Sequence, residues 1–285
     1  MKSTNTIVAI AVALLCLFAF GSASFAATNP LNFPMGLAVD AKGNLWVANS
    51  GDNNILVFSP GYALQKADTI TQGVSSPTGV AFDPQGNLWV TNFTASSVTE
   101  YTSRVQNTSN TITFGIQNPE AIAIDGLGDI WVENGYLNVT VYGSSFPYAP
   151  ATSPVTTIDP GSPVYGIAIG AGTFSFGGDI VVSFVPVLQA LTGNIGVVVV
   201  APNNNGFALA SDVYGNVYMG NFDGSVRINV PIPGGGTITE PFLQLPFTAS
   251  GIAVDSVRNR VYISDAGNSQ IQVYSTAGVL LKTIQ

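Results

Sequence analysis

One ten-residue phrase recurs along the chain. DAKGNLWVAN stands at residues 40–49, DPQGNLWVTN at 83–92 and DGLGDIWVEN at 125–134. The Asp that opens it returns, with weaker copies of the phrase, as Asp40, Asp83, Asp125, Asp212 and Asp255, with Gly170 in the fourth place. The spacings are 43, 42, 45, 42 and 43 residues. A fixed period of this length marks a chain built from supersecondary units that stack on one another.

Each unit reads as four short strands. The innermost candidates are small and apolar: MGLAVD, TGVAFD, EAIAID, YGIAIG, FALASD and SGIAVD. The second strands carry an aromatic at Trp46, Trp89, Trp131, Tyr218 or Tyr262. Runs of Val, Ile, Phe and Tyr punctuated by Gly, Asn and Pro are strand signals, and four antiparallel strands per period of this size describe a propeller blade. The expected fold is therefore all-β, a six-bladed β-propeller of four-stranded antiparallel blades, with repeats starting near 34, 77, 119, 163, 206 and 249. In this arrangement the Asp accepts N–H bonds across a turn. Gly43, Gly86, Gly128 and Gly215 supply positive φ there. The aromatic packs between units. The fourth unit is degenerate, with a longer turn and outer strands that its valine run does not place.

Residues 1–26 have the layout of a secretory signal peptide: Lys2, an uncharged apolar run from Ile7 to Phe20, and small residues before Ala26. Leu15 before Cys16 argues against a lipoprotein. The expectation is one propeller domain over 27–285, secreted, periplasmic or extracellular. Cleavage would remove the one cysteine, so no disulfide is available to the mature chain. It would also take the net charge from −8 to −9, which argues against nucleic acid and anionic membrane surfaces. No second long apolar run follows, so stable membrane insertion is not expected. There is no histidine, which excludes a Ser-His-Asp triad, a Cys-His dyad and the usual zinc sets. No catalytic residue, metal or cofactor is assigned.

PMGLAVDAKGNLWVANSGDNNILVF and SGIAVDSVRNRVYISDAGNSQIQVY are similar to NHL repeats, and the resemblance extends over residues 31–285. It implies a six-bladed propeller related to the gluconolactonase-like and streptogramin-lyase-like propellers. In the gluconolactonase-like branch, the residue after the opening Pro of strand one points into the axial funnel and helps bind a divalent metal. Here those positions hold Met35, Thr78, Glu120, Tyr165, Phe207 and Ser250, and only Glu120 suits a hard cation. The streptogramin-lyase branch relies on a catalytic His that this chain lacks.

Strand two ends in a polar ring of Asn49, Asn92, Asn134, Asn221 and Asp265, followed by loops bearing Phe93, Tyr136 and Phe222. Together with Glu120, these residues form the candidate ligand-binding face. They suit a protein, peptide or glycan. Equally, the ring residues could cap loops and tie neighbouring units together. The expected role is a non-catalytic binding or scaffolding module; the alternative is a metal-dependent lactonase or lyase. Sequons occur at Asn92, Asn107 and Asn138. The oligomeric state is not legible.

Overall fold

β-branched and aromatic runs bounded by Gly, Asn and Pro fold as short strands throughout. The computed structural model describes residues 29–102, 108–143, 153–159, 164, 166–170, 173–177, 196–197, 206–231 and 237–285, and Leu31–Gln285 form one unit. The expected signal peptide, Tyr165, the side chain of Phe207, the Asn107 sequon and most of the fourth unit's valine run lie outside the described residues.

The first repeat gives β1 (Pro34–Val39), β2 (Leu45–Asn49) and β3 (Asn54–Phe58). The second gives β4 (Pro77–Phe82), β5 (Leu88–Asn92), β6 (Ser97–Tyr101) and β7 (Thr108–Ile112). The third gives β8 (Pro119–Ile124), β9 (Ile130–Asn134), β10 (Asn138–Tyr142) and β11 (Thr156–Ile158). The fourth contributes β12 (Gly166–Gly170), β13 (Thr173–Gly177) and β14 (Gly196–Val197). The fifth gives β15 (Gly206–Ser211), β16 (Val217–Asn221), β17 (Ser225–Pro231) and β18 (Thr237–Gln244). The sixth gives β19 (Gly251–Asp255), β20 (Arg260–Asp265), β21 (Gln270–Ser275) and β22 (Leu280–Ile284).

The expectation of six four-stranded antiparallel blades is corrected to five antiparallel blades among the described residues. The second, third, fifth and sixth repeats form four-stranded antiparallel sheets. The first is antiparallel but three-stranded. A 3-10 turn at Lys66–Asp68 interrupts its fourth strand, leaving isolated bridges from Ile55 to Ile70 and from Phe58 to Leu64. The fourth repeat forms a three-stranded sheet in which β13 and β14 pair in parallel, so it is not a blade of this kind. It lacks the Asp that organises the other turns. Its inner strand β12 nevertheless stands between β8 and β15, and β1, β4, β8, β12, β15 and β19 contact one another around the axis and back to β1.

The recurring phrase is a hydrogen-bonding device. Asp40 Oδ1 accepts the N–H groups of Lys42 and Asn44 at 2.8 and 2.9 Å. Its Oδ2 accepts Asn44 Nδ2 at 2.9 Å and Trp46 Nε1 at 3.1 Å. Asp83 repeats the set with Asn87 and Trp89. Asp125 bonds Leu127 N, Asp129 N and Trp131 Nε1, and Asp212 bonds Tyr214 N and Asn216. In the last repeat, where the Gly is missing, Arg258 takes over through its N–H and its guanidinium. In the first three repeats one carboxylate thus closes the turn and fixes the aromatic.

That aromatic packs between repeats. Trp46 lies among Val80, Leu88, Val90 and Tyr101 of the second repeat. Trp89 meets Ile122, Ile130 and Val132 of the third, Trp131 meets Ile167, and Tyr218 meets Ile252 and Val261. Tyr262 packs on Leu31, Leu37 and Leu45 of the first repeat and so closes the ring. Residues 29–33 add no strand. Closure is reinforced by Ser264 Oγ donating to Met35 O at 2.7 Å, Arg258 to Lys42 O at 2.8 Å and Arg260 to Pro60 O at 2.7 Å. The small inner-strand residues are needed for the close approach: a Cβ on Gly36 would sit 2.5 Å from Thr78 O, and one on Gly251 2.3 Å from Met35 O.

Candidate functional site

The polar ring is tied into the fold. Asn49 Oδ1 accepts Asn32 N at 2.6 Å, Asn92 Oδ1 accepts Ser75 N at 2.9 Å, and Asn134 Oδ1 accepts Gln117 N at 3.1 Å. The offset is seventeen residues each time, so each amide pins the segment that leads into its own repeat's inner strand. The Nδ2 groups reach Asn54, Thr99 and Thr140 on the third strands. Asn221 Nδ2 donates to Ser225 Oγ, while its Oδ1 is buried without a hydrogen-bond partner. Asp265 accepts from Asn268 and Gln270. All five ring residues are buried. Asn92 is fully buried, so its sequon is not presented to solvent.

Inside this ring the inner strands open with a β-bulge at Pro34/Leu37, Pro77/Val80 and Pro119/Ile122. A bulge re-aims the side chain within it, and the residues after each proline line the axial cavity: Met35, Thr78, Glu120 and, in the last repeat, Ser250. The cavity measures about 80 Å³. Thr78 Oγ1 donates across to Pro119 O at 2.8 Å, which narrows it further.

The third repeat differs from the others. The column that holds Ala48, Thr91, Gly220 and Ser264 elsewhere holds Glu133 here. Glu133 is fully buried. Its Oε1 accepts the Tyr136 N–H, and its Oε2 has no hydrogen-bond partner. Burial pushes this carboxyl up to about 8 against the pull of the Tyr136 N–H, and the charge of Glu120 adds to the rise. Glu120, half-buried, is also raised by burial, with a Tyr136 hydrogen bond opposing. The pair therefore holds a proton at neutral pH, with Glu120 the member that lines the cavity.

Tyr136 is half-buried at φ +65, an αL conformation held by Glu133 on its N–H and by Val164 N on its carbonyl. The structure thus brings together Glu120, Glu133 and Tyr136. Phe93 is half-buried on the second repeat, with Ser96 N and Asn118 Nδ2 on its carbonyl. Phe222, 46% exposed, stands two positions round the ring from Tyr136. Sequence reasoning left Glu133 out of the candidate set; a Glu in a column of small residues was the available signal. Among the described residues, no three His, Cys, Asp or Glu side chains converge.

The NHL repeat family model matches residues 31–58 and 248–274, the two repeats that meet at ring closure. The solved structures similar to this chain include a catalytically inactive virginiamycin B lyase from Staphylococcus aureus, in which one His is replaced by Ala, with quinupristin. Its TM-score is 0.57 at 14% identity, covering 87% of this chain and 83% of that one. A streptogramin B lyase structure gives a TM-score of 0.56 at 13% identity, over 90% and 84% of the two chains. A gluconolactonase from Xanthomonas campestris gives 0.54 at 14%, over 82% and 83%. No curated protein matches the chain. The chain has a β-propeller fold, and two of its repeats match the NHL repeat model.

Proposed function

We propose that this chain is exported and acts as a non-catalytic binding or scaffolding module. In this reading it holds a protein, peptide or glycan on the face that carries Phe93, Glu120, Tyr136 and Phe222. The observation that carries it is the size of the axial mouth. A cavity of about 80 Å³ is well below the roughly 300–1,000 Å³ of sites that engulf small molecules. Recognition there falls to groups on the rim, and rigid aromatics are effective anchors. The ring residues support this role indirectly, by fixing the hairpins that display the aromatics. The apolar N-terminal run supports export.

A second reading, a metal-dependent lactonase or lyase, would work through Glu120, the carboxylate that lines the cavity. Screening the purified protein against glycans, peptides and lactones, with and without calcium, separates the two. Binding that is lost in Phe93→Ala or Tyr136→Ala, with the circular dichroism spectrum unchanged and no lactone turnover, is expected. Turnover that requires a divalent ion and vanishes in Glu120→Gln would overturn the binding reading.

A further inference from the structure

The axis has a second mouth, where the inner strands end. It holds a cavity of about 580 Å³, lined by Val39, Ile124, Ile169, Val213, Val254 and Val257 together with the turn residues Asp40, Asp212 and Asp255. We infer that this end is an independent binding surface, an apolar cup that takes a partner-protein segment whose apolar residues are flanked by Lys or Arg.

The turns that rim the cup are closed by their Asp and Gly or by Arg258. Their two intervening positions make no demand on side-chain type. The first two repeats fill them with Ala41 and Lys42, and with Pro84 and Gln85. The third, fifth and sixth instead present Leu127, Val213, Tyr214 and Val257, exposed by 57, 66, 77 and 84%. Large apolar groups held in water by turns that do not need them, beside a cavity of ligand-binding size, mark an interaction surface. Because Leu127 and Tyr214 stand outside the cup's lining, the contact area exceeds what a small molecule inside it would cover. That favours a macromolecular partner.

Charge selects the partner. Asp40, Asp125, Asp129, Asp212 and Asp255 lie under the rim, and among the turn residues Lys42 and Arg258 are the basic side chains set against them. In Asp40 and Asp212 both carboxylate oxygens already accept hydrogen bonds from the turn. They act as a field at the cup and not as direct ligands. The chain carries −8 overall, so basic flanks are attracted and acidic ones repelled.

The test uses fluorescent peptides with a Leu-Phe-Val core flanked by Lys, the same core flanked by Glu, and a Lys-flanked Ser core, each titrated into the full-length protein. Saturable binding of the first alone, weakening with salt, is expected. Val257→Ser with Tyr214→Ser should weaken it about tenfold or more without moving the melting temperature, while Phe222→Ala at the opposite end leaves it unchanged. Val257→Lys should reject the Lys-flanked peptide and admit the Glu-flanked one. The inference is overturned by absence of saturable binding, by equal binding of the Glu-flanked peptide, by indifference to the Ser variants, or by binding of octylammonium in place of the peptide.

Discussion

At one end of the axis, Asn49, Asn92 and Asn134 pin the inter-repeat segments, and the mouth narrows to about 80 Å³. At the other end, Asp40, Asp83 and Asp125 close the turns, and the mouth widens to about 580 Å³. Both polar rings are committed to the fold. The ends differ at the positions that the repeat leaves free. In the bulges these side chains point toward a crowded axis, where the backbones of Gly36 and Gly251 touch neighbouring strands. In the turns they splay outward and carry no packing duty. Residues that recur from repeat to repeat hold the molecule together, and residues that differ between repeats are available to bind.

The comparison breaks first at the packing between the two ends. Trp89→Ala should cost roughly 3–5 kcal/mol, as for other buried large-to-small changes, read by urea denaturation. A much smaller loss would mean that the aromatic column does not join the repeats. Next, Asp83→Ala removes the acceptor of Asn87 and Trp89 and should cost about 3 kcal/mol, since several buried donors lose their partner at once.

At the narrow end, Glu133 supplies a pH test. The folded protein keeps its proton up to about pH 8, whereas the unfolded chain releases it in the ordinary carboxyl range. Between those limits the native state binds more protons, so this group's contribution makes stability fall as pH rises and level off above about 8. Glu133→Gln should remove that fall, gaining on the order of 2 kcal/mol at alkaline pH and almost nothing at pH 4. Parallel melting curves from pH 4 to 9 check it; a constant difference between the two proteins would contradict it. The smallest effect is at Gly86, where an added Cβ meets nothing within 4 Å but φ is +84. Gly86→Ala should cost only the left-handed strain, about 1 kcal/mol.

The turn device was legible in the sequence because one Asp, one Gly and one aromatic recur at fixed offsets, and in the first three repeats each offset corresponds to a hydrogen bond. Blade number was less legible. The 43-residue period counts repeats, and a repeat forms an antiparallel blade only where its strands pair. Gly170 kept the period without supplying the carboxylate, and β13 paired in parallel with β14. The 3-10 turn at Lys66–Asp68 lay outside the repeated phrase, so its effect on the first sheet did not show in the pattern. The asparagine ring was legible as polar, with loop capping as one of its two readings, but its particular partners were not legible, because they stand seventeen residues upstream in segments without a motif. Glu133 occupies a column that is also buried at Ala48, Thr91 and Ser264, so its burial was legible from the repeat, but its pairing with Glu120 and Tyr136 was not. The wide mouth was missed because its exposed rim residues Leu127, Val213, Tyr214 and Val257 fall in turn positions normally read as punctuation.

The division between recurring and differing residues is tested most directly by melting Asn92→Ala and Phe222→Ala side by side. Asn92 loses bonds to Ser75 N and Thr99 Oγ1, about 1–2 kcal/mol, which for a chain of this size lowers the melting temperature by roughly 4 °C. Phe222 is exposed, and its removal should leave the melting temperature unchanged. A drop for Phe222→Ala equal to or larger than that for Asn92→Ala would contradict the account.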